Sequence, residues 1–273
     1  MIHSVAISEM VGTHYFSPLK GDFRTCINQA ASIGFEGVEI HVRNPFSIDF
    51  HELHDYALSK GVRITSIGTG MACGYDGHYF TNPDAVARRE CQHVFNGFLE
   101  GAHICDNATV LFGLMKGPLP DDRLRETYKN ILFESLQPCI ETADKLDCDI
   151  TIEAINRFMA AYLWSTEETL EFVNRFDSPH VTIHLDTFHM NIEDKNMRNS
   201  ILKSKDRLGY FHMSDSDRCY PGHGHIDFQE IVDALYDADF AGDNAVWAFE
   251  YDSIPDTITS AKHGLDYIKN LEH

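Results

Sequence analysis

The chain has 273 residues, 43% of them hydrophobic, enough to bury one large core. Its formal net charge is -20, from 42 acidic residues against 22 Lys and Arg. Such a surface repels nucleic acid and anionic membranes, because both are bound mainly through basic side chains.

No apolar run reaches the roughly 18 residues of a membrane span. The start, Met1-Ile-His-Ser-Val, has neither a basic region nor an apolar signal core, so a cytoplasmic protein is expected. The 7 cysteines are scattered without a C-x-x-C pair and read as small core residues in a reducing compartment.

Strand-like and helix-like segments then alternate along the chain. Ile2–Ser8 predicts a strand, and Asp22–Ile33 a helix closed by Gly34. Gly37–Val42 predicts a strand and Phe50–Lys60 a helix with Gly61 at its end. A strand over Arg63–Gly68 runs into a long loop, Thr69–Phe80, whose Tyr75, Tyr79 and Phe80 either wall a cleft or simply pack. Asn82-Pro-Asp opens a helix to about Cys105, followed by a strand over Thr109–Leu114. Pro120-Asp-Asp opens a helix to about Leu146, and a strand covers Asp149–Ala154. Ser165-Thr-Glu-Glu supplies a cap and an acidic first turn for a helix to Phe176. The next strand starts at Val181 and leads to a helix over about Asn196–Lys205. Leu208–Met213 and Ala245–Phe249 are the last strands, followed by helices over Phe228–Ala238 and Asp256–Leu271.

Eight strand–helix units at this length predict an α/β fold, a single (β/α)8 TIM barrel spanning residues 1–273. An open doubly wound sheet shares the alternation but carries a glycine-rich turn after its first strand. Here that turn reads Glu9-Met-Val-Gly12-Thr-His, with no G-x-G-x-x-G. The barrel is the better fit.

In such barrels the chemistry sits at the carboxyl ends of the strands. Four consecutive strand ends carry ligand-type residues: Glu153 (Thr-Ile-Glu-Ala-Ile-Asn-Arg-Phe), Asp186 (Ile-His-Leu-Asp-Thr-Phe-His-Met-Asn), His212 (Tyr-Phe-His-Met-Ser-Asp) and Glu250 (Ala-Phe-Glu-Tyr). Singly, Asp186 reads equally as a helix cap, Glu153 as a loop acid and His212 as a core histidine. Together they place three carboxylates and an imidazole on neighbouring strands. Converging carboxylates repel one another and raise each other's pKa unless a cation neutralises them. Oxygen-rich donors with one imidazole suit Mn²⁺, Mg²⁺ or Co²⁺ better than a thiolate zinc site.

Asp186-Thr-Phe-His-Met-Asn-Ile-Glu closely resembles the signature of the ketose 3-epimerases of the D-tagatose and D-allulose (psicose) 3-epimerase kind, within the xylose-isomerase-like barrel superfamily. Glu153-Ala-Ile-Asn-Arg-Phe, His212-Met-Ser-Asp-Ser-Asp-Arg218 and Pro221-Gly-His-Gly-His-Ile-Asp match in order, and Gly34-Phe-Glu-Gly-Val-Glu matches more weakly. The resemblance implies that Glu153, Asp186, His212 and Glu250 hold a divalent metal, Mn²⁺ first, and that His189 and Arg218 contact the sugar oxygens. It makes Glu153 and Glu250 the acid/base pair, one on each face of a cis-enediolate, and suggests a homo-oligomer, a dimer or tetramer. The chain departs from the pattern at Met159, where the relatives carry a further glutamate that holds the O1 end of the sugar. The segment after Glu250 is also shorter than theirs.

The leading expectation is a metal-dependent epimerase or isomerase of a ketose or related keto-sugar, free or phosphorylated. Lys116 in Phe112-Gly-Leu-Met-Lys-Gly-Pro is either a cation at the site mouth for that phosphate or a solvated lysine. The alternative keeps the same metal and carboxylates in an enolate-forming lyase or dehydratase of an inosose or 3-keto glycoside. A DNA-repair endonuclease on the same barrel conflicts with the net charge of -20. A non-catalytic sugar-binding barrel would tolerate loss of one glutamate, whereas both Glu153 and Glu250 are present.

Overall fold

Residues 1–9 and 16–273 are described by a computed structural model; residues 10–15 lie outside them. The Val-, Ile- and Phe-rich segments form β1 (Ile2–Ser8), β3 (Gly37–His41), β4 (Arg63–Gly68), β5 (Thr109–Phe112), β6 (Ile150–Glu153), β7 (Val181–Asp186), β8 (Leu208–Met213) and β9 (Val246–Phe249). A two-residue β2 (Leu19–Lys20) was not anticipated and pairs with the end of β1. Neighbouring strands are parallel in the order β2-β1-β3-β4-β5-β6-β7-β8-β9. The sheet closes because β1 also pairs β9, with Ile2 opposite Val246 and Val5 opposite Phe249.

The surrounding helices are α1 (Phe23–Ile33), α2 (Phe50–Ser59), α3 (Gly70–Asp76), α4 (Ala85–Ile104), α5 (Arg125–Leu146), α6 (Thr166–Val173), α7 (Thr187–Glu193), α8 (Met197–Ser204), α9 (Phe228–Asp237) and α10 (Thr257–Lys269). Most start where the sequence places an acceptor side chain: Asp22, Asp49, Asp84, Ser165, Asn196, Asp227 and Asp256 each accept a backbone N–H of the first turn. Gly34 ends α1 at φ 107°, a left-handed conformation that costs a side chain most and glycine least. The expected loop over 69–80 is partly wrong, since it holds α3. Its Phe80 packs edge-to-face on Phe95 and Phe112 at 5.4 and 5.3 Å, inside the core.

Successive strand residues point to opposite faces. Ile150, Ile152, Ile183, Leu185, Phe211 and Met213 join the main apolar cluster under the helices. The alternate set points into the barrel, where Leu111, Tyr210 and Ala248 make a small separate cluster. Around it runs a polar layer: Ser4 Oγ lies 2.7 Å from Thr65 Oγ1, and Ser66 Oγ lies 2.7 Å from the Tyr210 hydroxyl. Two residues further along β6, β7, β8 and β9 the inward positions are Glu153, Asp186, His212 and Glu250. The strand period that makes the core therefore also aims the site.

Candidate metal and catalytic centre

β7 ends at Asp186, which is fully buried. Its Oδ1 accepts the Phe188 N–H at 2.8 Å and caps α7, while its Oδ2 accepts from Arg218 and lies 3.7 Å from His212 Nδ1. The cap reading of this residue holds for Oδ1, and Oδ2 is left facing Arg218 and His212. Burial pushes the Asp186 carboxyl up, but the Arg218 guanidinium and His189 outweigh it and hold it well below the usual range.

His212 sits beside it on β8. Its Nε2 lies 2.8 Å from Glu39 Oε2, a carboxylate that can only accept, so the ring proton belongs on Nε2. Its Nδ1 faces Asp186 at 3.7 Å and Glu250 Oε2 at 3.4 Å, buried and without a hydrogen-bond partner. A carboxylate fixing the tautomer of an imidazole whose other nitrogen is free is the arrangement of a metal-binding histidine. Glu39 is fully buried and also meets His41 Nε2 at 2.7 Å and the Ser66 hydroxyl at 3.2 Å. His41 Nε2 in turn lies 3.6 Å from Glu250 Oε1.

Glu153 closes β6. His189, from the first turns of α7, points Nε2 at Glu153 Oε1 across 3.5 Å. The Asn156 amide donates to His189 Nδ1 at 2.7 Å, and its oxygen accepts the Phe158 N–H at 3.0 Å, which fixes the amide's orientation. His189 therefore carries its proton on Nε2, toward Glu153 and the cavity. Burial pushes Glu153 up, and His184 and His189 bring it down to about 2, so it is a carboxylate at neutral pH. His184 is a neutral imidazole, pushed down to about 4 by burial and by His212.

These groups surround a cavity of about 200 Å³. One side is polar: Glu39, His41, Glu153, His189, His212, Arg218 and Glu250. The other is apolar: Phe16, Leu111, Leu114, Ile155 and Met159. The Arg218 guanidinium spans Asp186 and Glu250 and lies over the rings of Phe16 and Phe188, 4.7 and 5.0 Å from their centres. Four acidic side chains, Glu39, Glu153, Asp186 and Glu250, meet here against one guanidinium, Arg218. Burial pushes His212 down, but Glu39 and Glu250 outweigh it and hold it well above the usual imidazole range. A divalent cation would balance the same carboxylates. Ligand atoms of Asp186, His212 and Glu250 lie within 4.8 Å of one another, as do those of Glu153, Asp186 and His189. The donor set fits a hard or borderline divalent ion.

A family model described as the xylose isomerase-like TIM barrel matches residues 27–271. The chain belongs to that family. Within it, the chain is 31% identical over 225 residues to an L-ribulose 3-epimerase of Methylomonas sp. (strain DH-1), covering 80% of this chain and 76% of that protein. It is 29% identical over 231 residues to a D-psicose 3-epimerase of Enterocloster bolteae, covering 81% and 75%. A crystal structure of D-psicose 3-epimerase with D-tagatose from Clostridium cellulolyticum H10 superposes with a TM-score of 0.83 over 100% of both chains at 22% identity.

In this xylose isomerase-like barrel, Asp186, His189, His212, Arg218, Glu153 and Glu250 all meet at one end of the barrel, as their strand-end positions require. Met159 also lines the cavity. Tyr75, Tyr79 and Phe80 do not; among the described residues the aromatic wall is Phe16. Lys116 is neither at the mouth nor solvated: it is 2% exposed. Sequence reasoning missed Glu39, His41, Asn156 and His184. An acid and a histidine two residues apart on one strand, Glu39-Ile-His41, were a usable signal, since both point inward. His184 carried the same signal one step before Asp186.

Proposed function

We propose that this chain is a metal-dependent ketose 3-epimerase, an isomerase that inverts C3 of a ketose through a cis-enediolate. The observation that carries the reading is the placement of Glu153 and Glu250 on one cavity around the free Nδ1 of His212. The similarity to the ribulose and psicose 3-epimerases supports the same reaction.

Glu153, Asp186, His212 and Glu250 would hold the ion, with Mn²⁺ proposed first and Mg²⁺ or Co²⁺ as substitutes. Such an ion, when bound, polarises neighbouring substrate oxygens and stabilises enolate charge. Glu153 and Glu250 are the acid/base pair, one carboxylate removing the C3 proton and the other returning a proton on the opposite face. His189 donates from Nε2 to the oxygen that gains charge, in the tautomer set by Asn156. Arg218 binds oxygens next to the reacting carbon and offsets the carboxylates.

The cavity favours a free sugar over a sugar phosphate. Arg218 is the cation among its described lining residues, and it already serves Asp186 and Glu250. Lys116 points behind the site. A phosphate would meet Phe16, Leu114, Ile155 and Met159, and among the described lining residues no second Lys or Arg is free to take its charge. No observation favours the lyase alternative over epimerisation.

A panel of ketopentoses, ketohexoses and their phosphates, incubated with Mn²⁺ and with EDTA and read by NMR, tests this. Metal-dependent formation of the C3 epimer of a free ketose is expected; elimination products, or turnover of phosphates alone, would overturn it. The same proposal takes the protein to be cytoplasmic, in keeping with its unpaired cysteines, and homo-oligomeric as a dimer or tetramer, which light scattering reads.

A further inference from the structure

We propose that the turn from Gly113 to Lys116 is a cradle that positions Glu153, with Lys116 as its positioning residue; the inference rests on Glu153 being one of the acid/base pair. The turn follows β5, one strand away from β6, and grips Glu153 at two points. Lys116 Nζ donates to the Glu153 carbonyl oxygen at 2.7 Å. At the other end, a Cβ built on Gly113 would lie 2.6 Å from Glu153 Oε2, so the carboxylate rests in the space that glycine leaves open.

The cradle is itself anchored. The Lys116 carbonyl accepts from the Thr81 hydroxyl at 2.8 Å and the Tyr162 hydroxyl at 2.6 Å, and the Met115 carbonyl accepts the Phe80 N–H at 2.9 Å. All three donors come from outside the turn, so the backbone under Lys116 is held independently of Glu153.

Burying an ammonium is costly, and an apolar side chain of the same length would fill this space without that cost. Packing alone therefore does not account for a lysine here. Among the described residues its ammonium makes no ion pair: its hydrogen bond goes to the backbone of the residue whose carboxylate must meet the C3 proton. A shift of Glu153 by 1 Å is enough to slow a proton transfer severely. The lysine trades local stability for the placement of one side chain.

Two single variants test this. Lys116→Met keeps length and removes donor and charge. Gly113→Ala adds one methyl against the carboxylate; the backbone there, φ -105° and ψ -93°, lies outside the regions alanine favours, so the melting temperature separates backbone strain from displacement of Glu153. Both are assayed as Mn²⁺-loaded protein on a free ketose that the wild type epimerises, with kcat, KM and melting temperature measured together. The expected result is a fall in kcat of about 10–100-fold with KM within about 2-fold, the range seen when an orienting partner of a metal ligand is lost. Lys116→Met is further expected to melt no lower than the wild type, a split between stability and rate that a merely structural lysine would not give. The cradle is overturned if the folded variants keep kcat within about 2-fold, or if only KM moves. Should Lys116→Met fail to fold, Gly113→Ala decides alone. A wild type that epimerises no ketose in the panel would overturn the functional reading before any variant is compared.

Discussion

Two histidines carry the local logic of the site, and each is set by a neighbouring side chain. Glu39 accepts the Nε2–H of His212 and turns Nδ1 toward Asp186 and Glu250; the Asn156 amide donates a hydrogen bond to His189 Nδ1 and turns Nε2 toward Glu153. Glu39→Gln can present its amide to Nε2 and favour the wrong tautomer, so Mn²⁺ affinity by calorimetry should weaken about 10–100-fold. An unchanged affinity would remove Glu39 from the centre. Glu250→Gln keeps an oxygen donor but cannot move a proton; kcat should drop by about 10²–10⁴-fold while metal binding survives. Met159 lines the cavity, so Met159→Glu should move the preference toward simple free ketoses with a free O1 hydroxyl. A substrate profile identical to that of the wild type would deny Met159 that role. The convergence of the four strand-end residues on one cavity was legible because a charged or ligand-type residue ending an apolar strand is a local anomaly. Lys116 was not: nothing in Gly-Leu-Met-Lys-Gly-Pro distinguishes a lysine that bends back under the next strand from one in water.

At the scale of elements, caps decide where strands hand over to helices. Asp186 ends β7 and starts α7 in one residue, which is why His189 comes round to face Glu153 one turn later. Elsewhere the caps serve stability alone. Asp22→Ala, for example, removes the acceptor for the Thr25 N–H at 2.9 Å and should lower the midpoint of chemical denaturation, with kcat unaltered. These handovers were readable in Asp-, Ser- and Asn-led segments. The helix α3 was not, because its Thr69 cap makes no side-chain hydrogen bond and it contains Gly70 and Gly74 in its seven residues. The burial of Phe80 likewise depends on contacts with Phe95 and Phe112, which only tertiary structure supplies.

For the whole molecule, the decisive event is closure of β9 onto β1. The alternation of strands and helices announced a barrel, but the closing pair joins residues more than two hundred positions apart, and no local pattern reports it. Side chains stitch the same seam: Glu36 meets His3 Nδ1 at 3.1 Å and Lys269 Nζ at 3.2 Å, joining β1 to the last helix. Burial pushes Glu36 up, yet the His3 hydrogen bond and Lys269 outweigh it and hold it at about 2, against 4.5 in the unfolded chain. A carboxyl with a depressed folded value stabilises fully above pH 4.5 and loses that contribution as pH falls toward 2. Glu36→Gln should thus be slightly less stable than the wild type at pH 7, by less than about 1 kcal/mol because the pair is half exposed. The two curves should converge near pH 2; a gap that persists there would deny the ionic origin. No helix among the described residues is long and apolar enough to cross a membrane.

The central claim is that two glutamates on opposite sides of one cavity invert C3 of a ketose. It is tested most directly by running the Mn²⁺-loaded protein in D₂O with a ketose it accepts and locating the label by NMR. With separate acid and base, the epimer should carry one solvent deuteron at C3, and deuterium should be absent from C1 and C4. Label at C1, or an epimer that forms with its C3 proton retained from the substrate, would contradict the account.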